Sequence, residues 1–436
     1  MTALPGRRRR STIVAAIAAA AAVAVVITLT IVGALTLYNS TDGADASAPR
    51  DELLFPNTPV GALAALDGQG NLASLAVLVV QPAGTGGSIV TVPVNADSGS
   101  GPDGAPLPLD QTLAVQGQDA FRSELAAALR LGVEDVAFVD AARLGQLLSP
   151  VGTLHVELPI EVTDANGDVV AAAGASQMDA AAAAAVLTSR DPAVSATEQY
   201  PAAGAIWSAV ADAVGDGITA GSPSDSTAAS TGTSATTVAT TPPASATAAS
   251  AADAAVTTMF ADLVRGRVGT RALRADPVPP DQNPNRADAS RLDPAEAVLV
   301  FGQIAPGAVS APGSGLSFRV VSAFSDDQLA GTGLTNTDVA YRTIATILSI
   351  GGNVVSVATA GASPADATTL AVSEVAMKAG AEAVKSSLGP VEVKVDEQSI
   401  AGVDVVAVIG TDALPTIATA PGPGTAPAST PETTDG

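Results

Sequence analysis

The chain begins with a long apolar stretch that no charged residue interrupts. Residues 11–41 are rich in Ala, Val, Ile and Leu, and their apolar core, residues 12–38, is about 27 residues long. At a helical rise of about 1.5 Å per residue, this core exceeds the roughly 30 Å thickness of the hydrocarbon layer of a bilayer. The pattern therefore predicts one transmembrane helix that spans the membrane with some tilt.

Four arginines at positions 7–10 precede this stretch. Positively charged flanks stay in the cytoplasm, so we expect a cytoplasmic basic tail over residues 1–11 and an extracytoplasmic location for everything after Tyr38. A cleaved signal peptide is the alternative, because residues 44–46 and 46–48 both have the small-x-small form of a cleavage site. The apolar stretch exceeds a typical signal h-region, which favours a retained signal-anchor and a single-pass cell-membrane protein.

Short apolar runs separated by turn residues predict a first domain over residues 56–218. Two β-branched runs, residues 75–80 and 88–94, flank a Pro- and Gly-rich segment and predict a hairpin. Further strands are predicted at residues 136–139 and 154–160, and a hairpin turn at residues 164–167. Helices are predicted at residues 119–131, 140–148, 176–189 and 199–214. Ser176 is the predicted cap of the third of these helices. Strands and helices in this order predict an α/β (α+β) fold, a mixed sheet covered by helices.

A segment almost without large apolar side chains follows this domain. Residues 219–252 consist nearly entirely of Ser, Thr, Ala, Gly and Pro, and such a composition cannot bury enough apolar surface to offset chain entropy. We expect a flexible linker between two independently folding units, and its dense Ser and Thr also allow O-glycosylation. A short helix is predicted at residues 252–263, and a Pro-rich second spacer at residues 276–290.

The second predicted domain, residues 292–412, has the order βαβαββ. Its strands are predicted at residues 318–324, 354–357, 391–395 and 403–409, and its helices at residues 337–350 and 363–388. The longer helix is assigned because Ser363-Pro364 is a cap residue followed by Pro at the first helical position. The Pro-, Ala- and Thr-rich residues 413–436 predict a disordered tail.

Charge and composition exclude several classes of function. The formal net charge is −23. The part predicted to lie outside the cytoplasm is more acidic still, because four of the 20 basic residues lie in the predicted cytoplasmic tail. Such a surface repels nucleic acids and anionic lipids, so we expect no nucleic-acid partner. The absence of cysteine excludes disulfides, thiol nucleophiles and thiolate metal sites. One histidine alone makes neither a zinc site nor a serine triad.

The order of motifs in the first domain resembles the LytR-CpsA-Psr (LCP) family. Residues 131–167 (LGVEDVAFVDAARLGQLLSPVGTLHVELPIEVTDANG) follow its pattern of a strand ending in Val-Asp, a helix, a strand running into Leu-Pro, and a hairpin. Residues 174–191 (GASQMDAAAAAAVLTSRD) are similar to its long helix. The second domain resembles the LytR C-terminal domain through FRVVSAF (318–324), GLTNTDVAYRTIATILSIGGNVVSV (333–357) and GVDVVAVIGTD (402–412).

The resemblance implies an enzyme that moves a glycopolymer from a polyprenyl pyrophosphate carrier to peptidoglycan outside the membrane. Arginines and a carboxylate-bound divalent cation, Mg²⁺, must neutralise the pyrophosphate leaving group. The family supplies an Arg-x-Asp before the first hairpin strand, a Pro-Arg-Asp after the second, and several arginines after the long helix.

This sequence departs from the family at nearly all of these positions. Asn71-Leu72-Ala73-Ser74 occupies the first place, Pro93-Val94-Asn95 the second, and Glu198-Gln199-Tyr200 stands where further arginines are expected. Val94 cannot contact phosphate, and neutral Asn95 is a poor Mg²⁺ ligand. We therefore predict no catalytic residue, metal site or cofactor, and a pseudoenzyme that binds or scaffolds during cell-wall glycopolymer assembly. The alternative is an active LCP phosphotransferase that uses Mg²⁺.

Arg190, the arginine that remains after the helix, is the candidate substrate-binding residue. It contacts phosphate in this hypothesis; alternatively, it pairs with a carboxylate such as Asp191. Asp97 either replaces the lost carboxylate or is a solvated loop residue. The partners implied are a cell-wall glycopolymer, a polyprenyl-linked lipid or envelope proteins.

His155 is expected to be structural, within a strand. Glu157, Glu161 and Asp164 form an acidic group beside a predicted hairpin. Solvated charge is favoured for them over a glycosidase pair, which needs a cleft.

Overall fold

The computed structural model describes residues 58–97, 105–218, 244–309, 315–359, 366–373, 375–396, 400 and 402–420. The predicted basic tail, the predicted transmembrane helix, residues 219–243 of the predicted linker and residues 421–436 of the predicted tail lie outside this set. Within it, no helix has both the length and the apolarity needed to cross a bilayer.

The first domain is a mixed α/β structure around a five-stranded sheet. In chain order its elements are β1 (Val60–Leu66), β2 (Leu72–Val80), β3 (Gly87–Val92), α1 (Leu109–Gln116), α2 (Gln118–Leu129), β4 (Asp135–Val139), α3 (Ala141–Leu148), β5 (Leu154–Leu158), β6 (Val162–Thr163), β7 (Val169–Ala171), β8 (Gly174–Met178), α4 (Ala180–Thr188), α5 (Ala196–Val214), α6 (Ala244–Val264) and β9 (Val268–Ala272). The sheet has the order β4-β1-β2-β3-β9. β1, β2 and β3 are antiparallel neighbours, and β4 and β9 join as parallel outer strands.

The predicted hairpin is confirmed as β2 and β3, with Val80 opposite Gly87. Gly87 has φ 151°, and a Cβ at this position would lie 2.0 Å from the backbone oxygen of Val79. Only glycine therefore allows β3 to begin so close to β2.

Alternate residues of the central strands enter two separate cores. Leu63 and Leu78 pack on one face with helices α3 to α6, whereas Ala62 and Val77 pack on the other with α1 and α2. Both faces of a strand are apolar only when both are covered, which explains the nearly continuous apolar runs of β1 and β2. The domain is a sheet between two layers of helices.

The predicted helix cap at Ser176 is wrong. Ser176 lies within strand β8, opposite Val156 of β5, and α4 begins only at Ala180. The cap is Asp179, whose side chain accepts a hydrogen bond of 2.8 Å from the backbone N–H of Ala182. Both residues are good cap formers, and the pairing with β5 decides between them.

Residues 244–252, predicted as linker, belong instead to helix α6. Val256, Phe260 and Leu263 of this helix are buried in the same core as the sheet, and β9 after it pairs with β3. Because α6 and β9 complete the first domain, the predicted independence of the units on either side of the linker is also wrong.

The second domain contains a five-stranded sheet rather than the four strands of the predicted βαβαββ unit. From the end of the first domain onward the elements are β10 (Ala275–Pro277), β11 (Ser290–Leu292), α7 (Pro294–Ile304), β12 (Ser317–Val321), α8 (Asp326–Leu329), α9 (Asn336–Ser349), β13 (Asn353–Ala358), β14 (Thr368–Val372), α10 (Lys378–Leu388), β15 (Val391–Val395), β16 (Val405–Val408) and α11 (Leu414–Thr419). The sheet has the order β13-β12-β16-β14-β15.

Strand β14 lies where the helix over residues 363–388 was predicted. Its residues alternate between buried and half-buried, with Leu370 and Val372 in the core, and it pairs with both β15 and β16. The helix begins only at Lys378. The alternation of buried and half-buried positions along this strand, and its pairing with two neighbours, outweigh the Ser-Pro signal, which lies outside the described residues.

Residues 414–419 of the predicted disordered tail form helix α11. Leu414 and Ile417 are buried in the core of the second domain. The Arg342 guanidinium donates to the backbone oxygens of Ile417, Ala418 and Ala420, which satisfies carbonyl groups left free at the helix end.

Helix α7 packs into both domains. Phe301 is fully buried in the first domain's core with α1 and α2, whereas Val298 and Leu299 are buried in the second domain's core. Its cap residue Asp293 also accepts a hydrogen bond from the Tyr341 hydroxyl of α9. The two domains thus share one helix.

We predict that a chain cut once within residues 219–243 stays together. The fragment that begins before α6 carries α6 and β9, which fill the first domain's core and extend its sheet, so separation would expose Val256, Phe260 and Leu263 to water. The two fragments should co-elute on size exclusion in detergent and separate only in denaturant. Separate elution of two folded fragments under native conditions would contradict the shared core.

Candidate functional site

Two cavities meet at Arg190, beside the ends of β2 and β3. The first is apolar, has a volume of about 30 Å³, and is lined by residues that include Leu75, Val92, Val94 and Tyr200. This space holds about two water molecules, whereas pockets for organic ligands measure about 300–1,000 Å³. The apolar cavity is therefore too small for an isoprenoid chain.

The second cavity is a polar groove with a volume of about 480 Å³. Its charged and amide side chains include those of Asp67, Asn71, Asp110, Arg190, Arg286 and Asp288. The volume lies in the range of ligand sites, but carboxylates outnumber arginines among these groups. The groove therefore suits a polar ligand better than a strongly anionic one.

Arg190 is held by the protein on both sides of its guanidinium. Nη2 lies 2.6 Å from Oδ2 of Asp110, and Nη1 donates to the backbone oxygen of Leu72 over 3.0 Å. The two charged side chains are only 19% and 11% exposed. Arg190 thus pairs with a carboxylate, but the partner is Asp110 of α1 and not Asp191, which accepts from the Thr163 hydroxyl.

Burial decides the protonation behaviour of Asp110. Loss of hydration raises the pKa of its carboxyl above the usual value of 3.8, and the nearby charge of Asp288 raises it further. Arg190 acts in the opposite direction through its charge and hydrogen bond. The carboxylate of Asp110 therefore depends on Arg190 to stay ionised inside the protein.

Asn95, at the position where the resemblance implies a metal-binding Asp, has no exposed surface and uses its side chain for internal hydrogen bonds. Nδ2 donates to Oγ1 of Thr197 and to Oδ1 of Asp288, each over 3.0 Å. Oδ1 accepts from the Ser290 hydroxyl over 2.9 Å. The amide joins three distant parts of the chain, and Asn95 lines neither cavity.

Asp97 also has a structural role. It is 8% exposed, and Oδ1 accepts a hydrogen bond of 3.0 Å from the backbone N–H of Leu107. No three His, Asp or Glu side chains in the described parts of the chain lie close enough to hold a metal ion. Since Asn95 and Asp97 are both engaged, the donor set here does not fit Mg²⁺.

The residues in place of the expected arginines organise helix α5. Glu198 forms a capping box with Ser195, and the Gln199 amide donates to the backbone oxygens of Asp191 and Val194 over 2.8 Å each. The Tyr200 hydroxyl lies 2.8 Å from the backbone oxygen of Thr91. Each polar group is used to fix the helix against its surroundings.

The Tyr200 hydroxyl joins α5 to two strands of the sheet. Besides Thr91 of β3 it contacts the backbone oxygen of Leu273, which follows β9, over 3.0 Å. Burial raises the pKa of Tyr200 far above its usual range. The phenol stays neutral and acts as a hydrogen-bond donor, not as a base.

The remaining candidates do not line these two cavities. His155 and Glu157 are exposed on β5, where they line a separate shallow groove. Glu161 is exposed, and Asp164 closes the hairpin turn by accepting from the backbone N–H groups of Asn166 and Asp168, which lowers its carboxyl pKa. His155 lies in a strand as predicted, although its side chain faces solvent.

Asp110 and Asp288 were not predicted as site residues from the sequence. Asp288 lies in the predicted second spacer, yet Oδ2 accepts from the backbone N–H of Ala196 over 2.7 Å at the start of α5. A carboxylate is favoured at this end of a helix. Neither contact has a local sequence signal, because each partner is far away along the chain.

The chain matches no family model and no curated protein. It is similar to the solved structure of TagV from Bacillus subtilis, with 11% identity, a TM-score of 0.38 and coverage of 59% of this chain and 100% of that one. It is also similar to TagT bound to LIIa-WTA, with 14% identity, a TM-score of 0.36 and coverage of 59% and 94%.

A third similar structure is that of the LytR-CPS2A-psr family protein YwtF (TagT) with bound octaprenyl pyrophosphate lipid. Its identity is 14%, its TM-score 0.34, and the coverage 57% of this chain and 90% of that one. The solved structures similar to this chain thus include members of the family that its sequence resembles.

We predict that Arg190→Ala lowers the free energy of unfolding by about 3 kcal/mol at pH 7, because the buried Asp110 carboxylate loses its cation. The pKa of Asp110 in the folded state then rises further above 3.8. The folded state takes up a proton first, so the loss should shrink as the pH falls from 7 to 4. Urea unfolding at both pH values measures the effect.

Arg122→Ala, which removes an exposed arginine of α2, is the matched control and should change stability little. The double variant Arg190→Ala/Asp110→Ala should be more stable than Arg190→Ala at pH 7, since no unpaired charge stays buried. An equal loss at both pH values, or no recovery in the double variant, would contradict this account of the ion pair.

Proposed function

We propose that this protein is a membrane-anchored, extracytoplasmic envelope protein with a non-catalytic, LCP-like first domain. It binds or scaffolds during cell-wall glycopolymer assembly. The ligand class follows from the resemblance of residues 131–167 and 174–191 to the LCP family. The location follows from the arginines at positions 7–10 and the apolar core at residues 12–38.

One observation carries the proposal of a pseudoenzyme. The side chains that stand in place of the implied phosphate and metal ligands are apolar, as Val94 is, or are engaged in internal hydrogen bonds, as Asn95 and Tyr200 are. Transfer from a pyrophosphate needs groups aimed at the developing charge. Side chains that already make internal hydrogen bonds cannot turn to a phosphate without leaving their buried partners unpaired.

The sizes of the two cavities support binding of the polar part of a ligand. The apolar cavity, at about 30 Å³, does not admit a polyprenyl chain, whereas the groove of about 480 Å³ admits a few sugar units. Arg286 supplies guanidinium donors and the side-chain oxygen of Asn71 supplies an acceptor for sugar hydroxyls. Binding without turnover is the function that this arrangement supports best.

An active transferase is the competing function, and Arg190 favours it because this arginine lines both cavities. To act on a phosphate, its guanidinium would have to exchange Asp110 for the ligand. The competing function therefore makes Arg190 essential for turnover.

We predict that the purified full chain in detergent shows no transfer from polyprenyl pyrophosphate-linked glycan to a peptidoglycan acceptor in the presence of Mg²⁺. Loss of one group that stabilises transition-state charge lowers the rate by about 10² to 10³, and several are replaced here. A catalytically active LCP protein serves as the positive control. Turnover comparable to that control and abolished by Arg190→Ala would show that the chain is an enzyme.

We also predict that protease added to intact spheroplasts digests the chain beyond the membrane anchor. The physical reason is the positive flank at positions 7–10, which holds the N-terminus in the cytoplasm. Immunoblotting against a C-terminal tag, with a cytoplasmic protein as the protected control, measures the result. Full protection of the tag would reject this topology.

A further inference from the structure

The exposed edge of the first domain's sheet carries an unusual concentration of positive charge. Six arginines fall within residues 265–291, against three aspartates, in a chain with a formal net charge of −23. They are Arg265, Arg267, Arg271, Arg274, Arg286 and Arg291. Four of them lie on or beside β9, the outer strand of the sheet.

Two arginines of this edge are available to a partner. Arg267 and Arg271 are exposed, and their side chains make no ion pair or hydrogen bond with any described residue. In contrast, Arg265 pairs with Asp262, and Nε of Arg274 lies 3.9 Å from Oε1 of Glu296. The positive charge at β9 is therefore only partly neutralised by the protein.

The backbone of β9 has a free outer edge. The oxygen of Arg267 accepts from the N–H of Gly87, and the N–H of Leu273 donates to the oxygen of Thr91, so odd-numbered residues of β9 face β3. In a parallel pair the even-numbered residues then direct both backbone groups away from the neighbouring strand. Val268 is buried, so Thr270 and Ala272 are the residues that present N–H and C=O groups along the accessible part of this edge.

The arginines and the free backbone groups are in register. Successive side chains of a strand alternate between faces, so Arg267 and Arg271 lie on one face, about 13 Å apart at about 3.3 Å per residue. A strand added to this edge would place residues i and i+4 beside them. Acidic side chains at these two positions would meet both guanidinium groups.

We propose that the outer edge of β9 binds an extended acidic peptide as a sixth strand of the sheet. Main-chain hydrogen bonds to Thr270 and Ala272 supply the pairing, and Arg267 and Arg271 select carboxylates. The partner is an acidic protein segment, because a phosphate polymer has no backbone to match the edge.

Charge also excludes pairing of this edge with β9 of a second copy of the chain. Two β9 edges carry like charges and repel each other, which is how edge strands avoid pairing with themselves. The rest of the chain's surface is acidic and repels an acidic peptide. The edge is thus selective for one sign of charge.

Binding is tested with a labelled peptide, acetyl-Val-Asp-Thr-Val-Thr-Asp-Val-amide, by fluorescence polarisation with the full chain in detergent. Its palindromic sequence presents the two Asp residues at the same spacing in either strand direction. We expect saturable binding that weakens in high salt, and no binding of the matched peptide with Lys in place of Asp. Arg271→Glu should weaken binding about tenfold or more, whereas Arg122→Glu, the same charge change on α2, should leave it nearly unchanged.

The strand pairing has its own test. Thr270→Pro removes an N–H that faces away from β3, and proline is tolerated on such an edge position. This variant should keep its circular dichroism spectrum and lose peptide binding. If the variant does not fold, N-methylation of the peptide amides that face β9 gives the same readout with the unaltered protein.

Two results would overturn the inference. One is peptide binding that survives both Thr270→Pro and N-methylation, and the other is the absence of any binding of the acidic peptide. If the peptide does not bind but inorganic polyphosphate binds in an Arg271-dependent manner, the edge is an anion site. Peptide binding at this edge is independent of whether the first domain turns over a glycopolymer, so the two proposals fail separately.

Discussion

The central strands carry apolar side chains on both faces, and each face must be covered. β1 and β2 cannot cover themselves, so helices from distant parts of the chain are required: α1 and α2 on one side, and α3 to α6 on the other. Burial of each large aliphatic side chain contributes about 1.5–3 kcal/mol. This demand explains why helix α6, which begins at Ala244, and Phe301 of α7 both contribute to the cores of the first domain.

A second constraint acts on the polar groups near the sheet. A buried amide or guanidinium must find partners inside the protein, because unpaired polar atoms cost about 1–3 kcal/mol each. Asn95 and Arg190 satisfy this rule through Asp288 and Asp110. The residues at positions where the resemblance implies catalytic groups are engaged in internal contacts. These contacts also shape the groove.

Much of the fold was visible in the sequence, since it depended on local pattern. The hairpin of β2 and β3 followed from two β-branched runs around a glycine turn, and α9 followed from apolar spacing. Strands β8 and β14 were missed because Ser176 and the Ser-Pro pair before β14 are also typical of helix starts. Pairing with other strands decided these cases, and pairing is not local.

The site was predictable only in outline. The sequence alone showed that Val94 and Asn95 stand where the resemblance implies an arginine and an aspartate. The contacts that replace them were not, because Asp110 and Asp288 come from α1 and from a segment that resembled a spacer. Charge pairs between remote segments leave no periodic signal, so their partners are known only once the chain is folded.

The positions of Ile218 and α6 set the geometry of the segment between them. The N–H of Ile218 donates to the oxygen of Val264 at the end of α6, whereas the chain re-enters the domain at Ala244, the start of that helix. The connection must therefore cover the length of α6, about 30 Å at 1.5 Å per residue. Residues 219–243 can reach about 80 Å when extended. The segment is therefore more than twice as long as the distance requires, so a chain with several of its residues deleted would still close the domain.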